Sequence, residues 1–227
     1  SGFLATLIGL RLEREGDATI VIGLVATAYF AGLTVGALRA GRIVCRVGHI
    51  RAFAAFVALL SASTLTYGLI QHPSLWAALR LVDGFCVAGV FICIESWLGD
   101  RAGSETRGSI LAAYMIALYS GQALGQMLLS TGEIGPAIPF QLASILITLA
   151  ILPVCLTHGT APAPGEGRSL SFGRLFEASP LGAAGAAFTG LILGGFYGLA
   201  AIFARRVGLD LAATANFMAT VILGGVA

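Results

Sequence analysis

The chain has 227 residues, of which 57% are hydrophobic and only 11% are charged, with a formal net charge of +2. That balance excludes an ordinary soluble domain, in which about a quarter of the residues carry charge. All thirteen basic residues are arginine, and neither the three histidines nor the four cysteines fall at zinc-ligand spacing, so no metal or other cofactor is expected.

At about 1.5 Å of rise per residue, an apolar helix of about 20 residues crosses the hydrocarbon layer of a bilayer. After an apolar stub at 1–10 and a polar turn at 11–19, the first complete span is predicted at 20–38. The arginine-rich stretch 39–51 leads to a span at 52–70, and the turn QHPS (71–74) leads to one at 75–98. Pro73 stands just ahead of that helix, where its missing N–H does no harm. GDRAGSETRG (99–108), a span at 109–129, STGEIGPA (130–137) and a span at 138–156 follow. Residues 157–180 are polar and rich in Pro and Gly, as linkers are. Phe172, Leu175 and Phe176, at i, i+3, i+4, predict a short amphipathic helix there on the membrane surface. A span at 181–203, a turn at 204–210 and an unfinished span from Leu211 complete the chain. The expected organisation is a helix bundle over 1–156, a linker over 157–180 and the start of a second bundle over 181–227. The chain begins and ends inside apolar runs, so a fragment is expected, with no signal peptide.

Cytoplasmic connections of membrane proteins are enriched in basic residues. If 39–51 is cytoplasmic, alternation places 99–108 and 157–180 on the same side, with eight arginines against four (Arg11, Arg14, Arg205 and Arg206) on the other. A multi-pass protein of the inner (plasma) membrane is expected, with the lipid bilayer as its partner. Nucleic acid is not expected as one, because the arginines are divided among short loops and lack aromatic neighbours to stack bases.

Polar groups inside the spans are costly and ask for a partner or a watery cavity. Arg80 and Asp83, one turn apart, can pair. Glu95 lies about 60° further round the same helix, and all three are expected to point inward. Tyr119, Gln122 and Gln126 form a polar stripe, extended by Met115 and Ser130, that must face protein or water. It serves either to glue helices together or to line a solute path. The pairs Gly32/Gly36 and Gly121/Gly125 permit close helix approach.

Gly41, Arg46, Gly48 and Arg51 between the second and third spans resemble the signature loop of the major facilitator superfamily. RLVDG (80–84) resembles its second motif, an arginine followed four residues later by glycine. RVGHIRAF (46–53), IESWL (94–98) and YMIALYSGQALGQ (114–126) are similar to the YcaD-like branch of that superfamily. The resemblance implies an all-α polytopic membrane protein: a six-helix N-terminal half, beginning late in helix 1, plus the start of the C-terminal half, up to part of helix 8. It implies a secondary transporter that moves a small solute by alternating access around a cavity between its halves, and no enzyme. Where the signature loop carries aspartate this chain has Cys45, and the Gly-Pro motif of many drug/proton antiporters is absent from GQALGQ (121–126).

Arg80, Tyr119, Gln122 and Gln126 are therefore expected on the solute pathway. Gly41, Arg46, Gly48, Arg51, Asp83, Glu95, Asp100 and Arg107 are expected in coupling or gating, with Arg46 and Arg51 paired to Glu95 or Asp100. The expected partner is a small-molecule solute, with protons as a candidate coupling ion. A passive channel or a non-transporting membrane subunit is the alternative.

Overall fold

A computed structural model describes residues 2–103, 105–156, 173, 176–177 and 179–225. The expected surface helix rests on Phe172 and Leu175, which lie outside the described residues, as do Arg168, Arg174 and His158. Helices α1 (Gly2–Glu15), α2 (Thr19–Val47), α3 (His49–Leu69), α4 (Pro73–Arg101) and α5 (Arg107–Gln126) run up and down in order. A 3₁₀ segment, Met127–Glu133, extends α5, and α6 (Ile138–Leu149), α7 (Ile151–Leu156), α8 (Pro180–Arg206) and α9 (Leu211–Gly224) follow. No strand occurs among the described residues.

The chain does not loop where its charges cluster. Arginine and alanine favour helix, and α2 carries the expected loop residues Arg39 to Val47 as nine further residues of helix on the span 20–38. The break comes at Gly48, whose φ of +88° lies in the region that glycine alone enters freely. The loop 39–51 is thus a correction: it shrinks to one residue, with Gly41 and Arg46 on α2 and His49 and Arg51 on α3. Asp100 likewise stands in the last turn of α4 and Arg107 in the first of α5.

The break between α6 and α7 at Ala150 has a local cause, since Pro153 has no N–H for the carbonyl of Leu149. Ser179 caps α8 by accepting from the Gly182 N–H at 3.2 Å, and Asp210 caps α9 by accepting from the Ala213 N–H at 2.6 Å.

Five segments are long and apolar enough to cross a membrane: Thr19–Val47, His49–Leu69, Pro73–Arg101, Ile138–Leu156 and Pro180–Arg206. Helix α5 falls outside that set, as its polar stripe and its glycines lower its hydropathy. Apolar side chains such as Ile20, Leu24, Leu181 and Leu191 are exposed on the flanks, as lipid contact requires.

Helices α2 and α4 form the tightest pair. A Cβ at Gly32 would run into the carbonyl of Leu81, one at Gly84 into the carbonyl of Tyr29, and one at Gly36 would sit 2.7 Å from the Ala88 Cβ. Helix α3 joins this pair through Phe53, Phe56 and Val57, which pack with Cys86 and Cys93 of α4. It is tied to α6 by hydroxyls, since Ser61 Oγ lies 2.7 Å from both Ser144 Oγ and Thr148 Oγ1. In lipid such bonds glue helices.

Candidate functional site

The charged residues of α4 divide. Arg80 and Asp83 are buried, 2% and 1% exposed, and their side chains approach to 3.8 Å between Nη1 and Oδ2. Neighbouring helices complete the cluster. The Tyr67 hydroxyl of α3 donates to Asp83 Oδ2 at 2.7 Å, and the Arg80 guanidinium lies 4.5 Å above the Tyr29 ring of α2. Arg80 therefore holds protein rather than reaching for the membrane surface. Arg80 Nη1 and Asp83 Oδ1 have no hydrogen-bond partner, although both are buried.

Arg80 also lines a cavity of about 20 Å³ with Ile8 and Gly9 of α1, Val25 and Ala26 of α2 and Gly198 of α8. A site of that size admits a water molecule. Glu95, expected to point inward, is exposed. It shares a face of α4 with Gly84 and Ala88, which meet α2, but stands two turns nearer the Gly48 end, where that face is open.

The α5 stripe is also divided. Gln126 is fully buried with neither amide atom hydrogen-bonded, whereas Gln122 is half-buried. Both amides face the start of α1: a Cβ at Gly2 would lie 3.3 Å from Gln122 Oε1 and 3.6 Å from Gln126 Nε2. Tyr119 packs instead with Ala123 of α5, Tyr197 of α8 and Ala219 and Ile222 of α9. The stripe thus meets α1 at Gly2 and the Arg80 cavity meets it about two turns further on, around Gly9.

At the Gly48 end of the bundle Arg46, Arg51, Glu95, Asp100 and Arg107 are all exposed. The expected pairing of Arg46 or Arg51 with Glu95 or Asp100 is not formed: among the described residues the ion pairs are Arg80–Asp83 and Arg206–Glu13. His49 differs from its expected place in a loop. It is buried at the head of α3 and lines a small cavity with Cys93 and Trp97.

Helix α8 meets the earlier helices over one part of its length, whereas α9 is buried from Thr214 to Ile222 along one face. From the Gly48 end, α8 is exposed from Gly185 through Leu193, and its contacts with α2 begin at Gly194, opposite the Phe30 ring. They continue where Gly9 of α1 meets Ile202, and end where Arg206 Nε donates to Glu13 Oε1 at 2.7 Å. The side chains along this seam are small or apolar, and Glu13 and Arg206 lie at its rim.

The sequence profile of the Major Facilitator Superfamily matches residues 3–227. The chain belongs to that superfamily. It is 32% identical over 228 residues to the uncharacterized MFS-type transporter YcaD of Escherichia coli O45:K1, covering 98% of this chain and 59% of that protein. Against the protein of the same name from Salmonella enteritidis PT4 the identity is 30%, with the same coverage. The chain thus spans about three fifths of the length of the curated relatives it matches. No solved structure matches it. Family membership, the helical architecture and the apolar spans together make this an all-α, multi-pass membrane protein of the major facilitator type.

Proposed function

We propose that the chain is the larger part of a secondary active transporter, not an enzyme, that moves a small solute across the cytoplasmic membrane by alternating access. Residues 1–156 form its first half, 157–180 a cytoplasmic linker and 181–227 the start of its second half. The Gly48 end faces the cytoplasm and the Arg206 end faces outward, a reading supported by the eight-to-four division of the loop arginines.

The observation that carries the proposal is the seam. Helices α1 and α2 meet α8 from mid-membrane to the Arg206 end and separate toward the Gly48 end, as expected of a carrier closed outside and open inside. Lining that seam is a buried arginine whose Nη1 has no hydrogen-bond partner. Arg80 would draw an anionic group of the solute or set the charge of Asp83, while Tyr119, Gln122 and Gln126 supply donors and acceptors further along the path.

In this reading Arg46 and Arg51 pair with Glu95 or Asp100 when the cytoplasmic end closes. Their exposure and lack of ion pairs here fit the opposite state. Gly41 and Gly48 allow the turn that brings them together, and Arg107 stands beside them on α5. Coupling to protons runs through Asp83 on this view.

The test is counterflow by the full-length protein in proteoliposomes, with thiol labelling of cysteines placed at 119, 122 and 126. Saturable counterflow and water-accessible thiols are expected. Non-saturable flux would indicate a channel, and thiols shielded in every state would remove the α5 stripe from the pathway.

A further inference from the structure

The four arginines assigned to the outer side run against the basic-residue bias, and all four surround one pocket. Arg11, Arg14, Arg205 and Arg206 line a cavity of about 760 Å³ at the outer mouth of the seam, together with Glu13, Glu133 and Asp210. A volume of several hundred Å³ is that of a small-molecule site.

The charges there are not balanced. Arg206 takes Glu13, and the Asp210 carboxylate caps α9. Arg205 donates to the Leu209 carbonyl at 2.8 Å; Arg11 donates to the Pro136 carbonyl and lies 5.8 Å above the Phe140 ring. A carbonyl or a ring fixes a guanidinium in place without cancelling its charge. Arg14 makes no hydrogen bond or ion pair among the described residues, and Glu133 is the one lining carboxylate left without such a partner. Four guanidiniums thus face three carboxylates, of which Glu13 is paired with Arg206 and Asp210 is turned to the cap of α9, leaving an excess of one positive charge. Glu13 and Arg206 are 24% and 61% exposed, so their pair is open to competition from the pocket.

We propose that this pocket is an outer docking site for a small organic carboxylate, held first by Arg14 and Arg205, which competes with Glu13 for Arg206 and so loosens the contact between α1 and α8. Guanidinium binds carboxylate through two parallel N–H···O bonds, and an incoming anion offers Arg206 the same geometry that Glu13 does. The site lies outside the membrane-spanning path of Arg80 and the α5 stripe, and its role in uptake rests on the transport reading above.

The full-length protein in nanodiscs, titrated with succinate and with ethanolamine at matched ionic strength, tests this by calorimetry. Succinate is expected to bind and ethanolamine not to. Arg14→Gln should weaken succinate about two- to fivefold, the range of one exposed charge pair. Glu13→Gln should strengthen it, because Arg206 is released; a misfolded variant cannot produce that opposite sign. Equal binding of the two probes, or succinate affinity unchanged in both variants, would overturn the docking site. Flux in proteoliposomes without succinate binding would remove the site and leave transport standing. Binding that follows these signs without any flux would do the reverse.

Discussion

Helix α4 meets α2 and α1 meets α8, but the two contacts are built differently. The first is backbone on backbone, with glycines at 32, 36 and 84 leaving no room for a methyl group, and beside it lies an ion pair shut away from solvent. The second is made by side-chain ends, with a Cβ at Gly9 still 3.7 Å from Ile202, and its ion pair lies at the rim. Separating α2 from α4 would strand Arg80 against lipid, whereas separating α1 from α8 frees charges that water can take up. The first contact suits a rigid body and the second suits an interface that opens.

Changes at the rigid contact should have the largest effects. Arg80→Leu leaves Asp83 buried without its counter-ion, and breaking a buried pair costs about 3–5 kcal/mol. The expected result is loss of folded protein by size-exclusion chromatography, with partial recovery in Arg80→Leu/Asp83→Asn. Gly84→Ala places its methyl against the Tyr29 carbonyl. Overpacking of this kind costs about 1–3 kcal/mol, which should appear as a lower Tm in detergent.

Smaller effects are expected where side chains alone are involved. Ser61→Ala removes the hydroxyl that links α3 to α6, and hydrogen bonds between membrane helices average about 0.6 kcal/mol. A modest fall in Tm, without loss of the folded fraction, should result. Glu13→Gln should change stability least, by about 0.2–1 kcal/mol at an exposed pair that salt screens. Its visible effect should be faster labelling of a cysteine at Gly9, since even that small difference shifts a balanced open–closed equilibrium. If Glu13→Gln destabilised the protein as much as Arg80→Leu, the contrast between the two contacts would fail.

Much of this architecture was legible in residue order. The spans follow from apolar runs, and the i, i+3 spacing of Arg80 and Asp83 places them side by side on any helix. Tyr29 and Tyr67 were not legible as their partners, because each comes from a different helix and an aromatic residue in an apolar run looks the same whether it faces lipid or a guanidinium. Ser61 finds Ser144 and Thr148 more than 80 positions away, which no local pattern announces. The arginine-rich segment misleads for a physical reason: positive charge reports which side of the membrane a segment occupies, not where a helix stops. Only Gly48, with its positive φ, stops it.

Gly32 and Gly36 were readable as a close-approach motif but not as the point where α2 meets Leu81 and Ala88. Glu95 shares its helix with Arg80 and Asp83, yet its environment depends on where neighbouring helices end. The division of the seam from the rigid contact depends in the same way on which helices pack together.

Distances between spin labels measure that division directly. One pair would join the outer ends of α1 and α8, at positions 16 and 207, and a second would join α2 and α4, at positions 20 and 74, in the full-length protein in nanodiscs with and without an imposed proton gradient. The α1–α8 distance is expected to lengthen or become bimodal while the α2–α4 distance holds constant. An unchanged α1–α8 distance in every condition, or equal movement in both pairs, would contradict a rigid half working against a seam that opens.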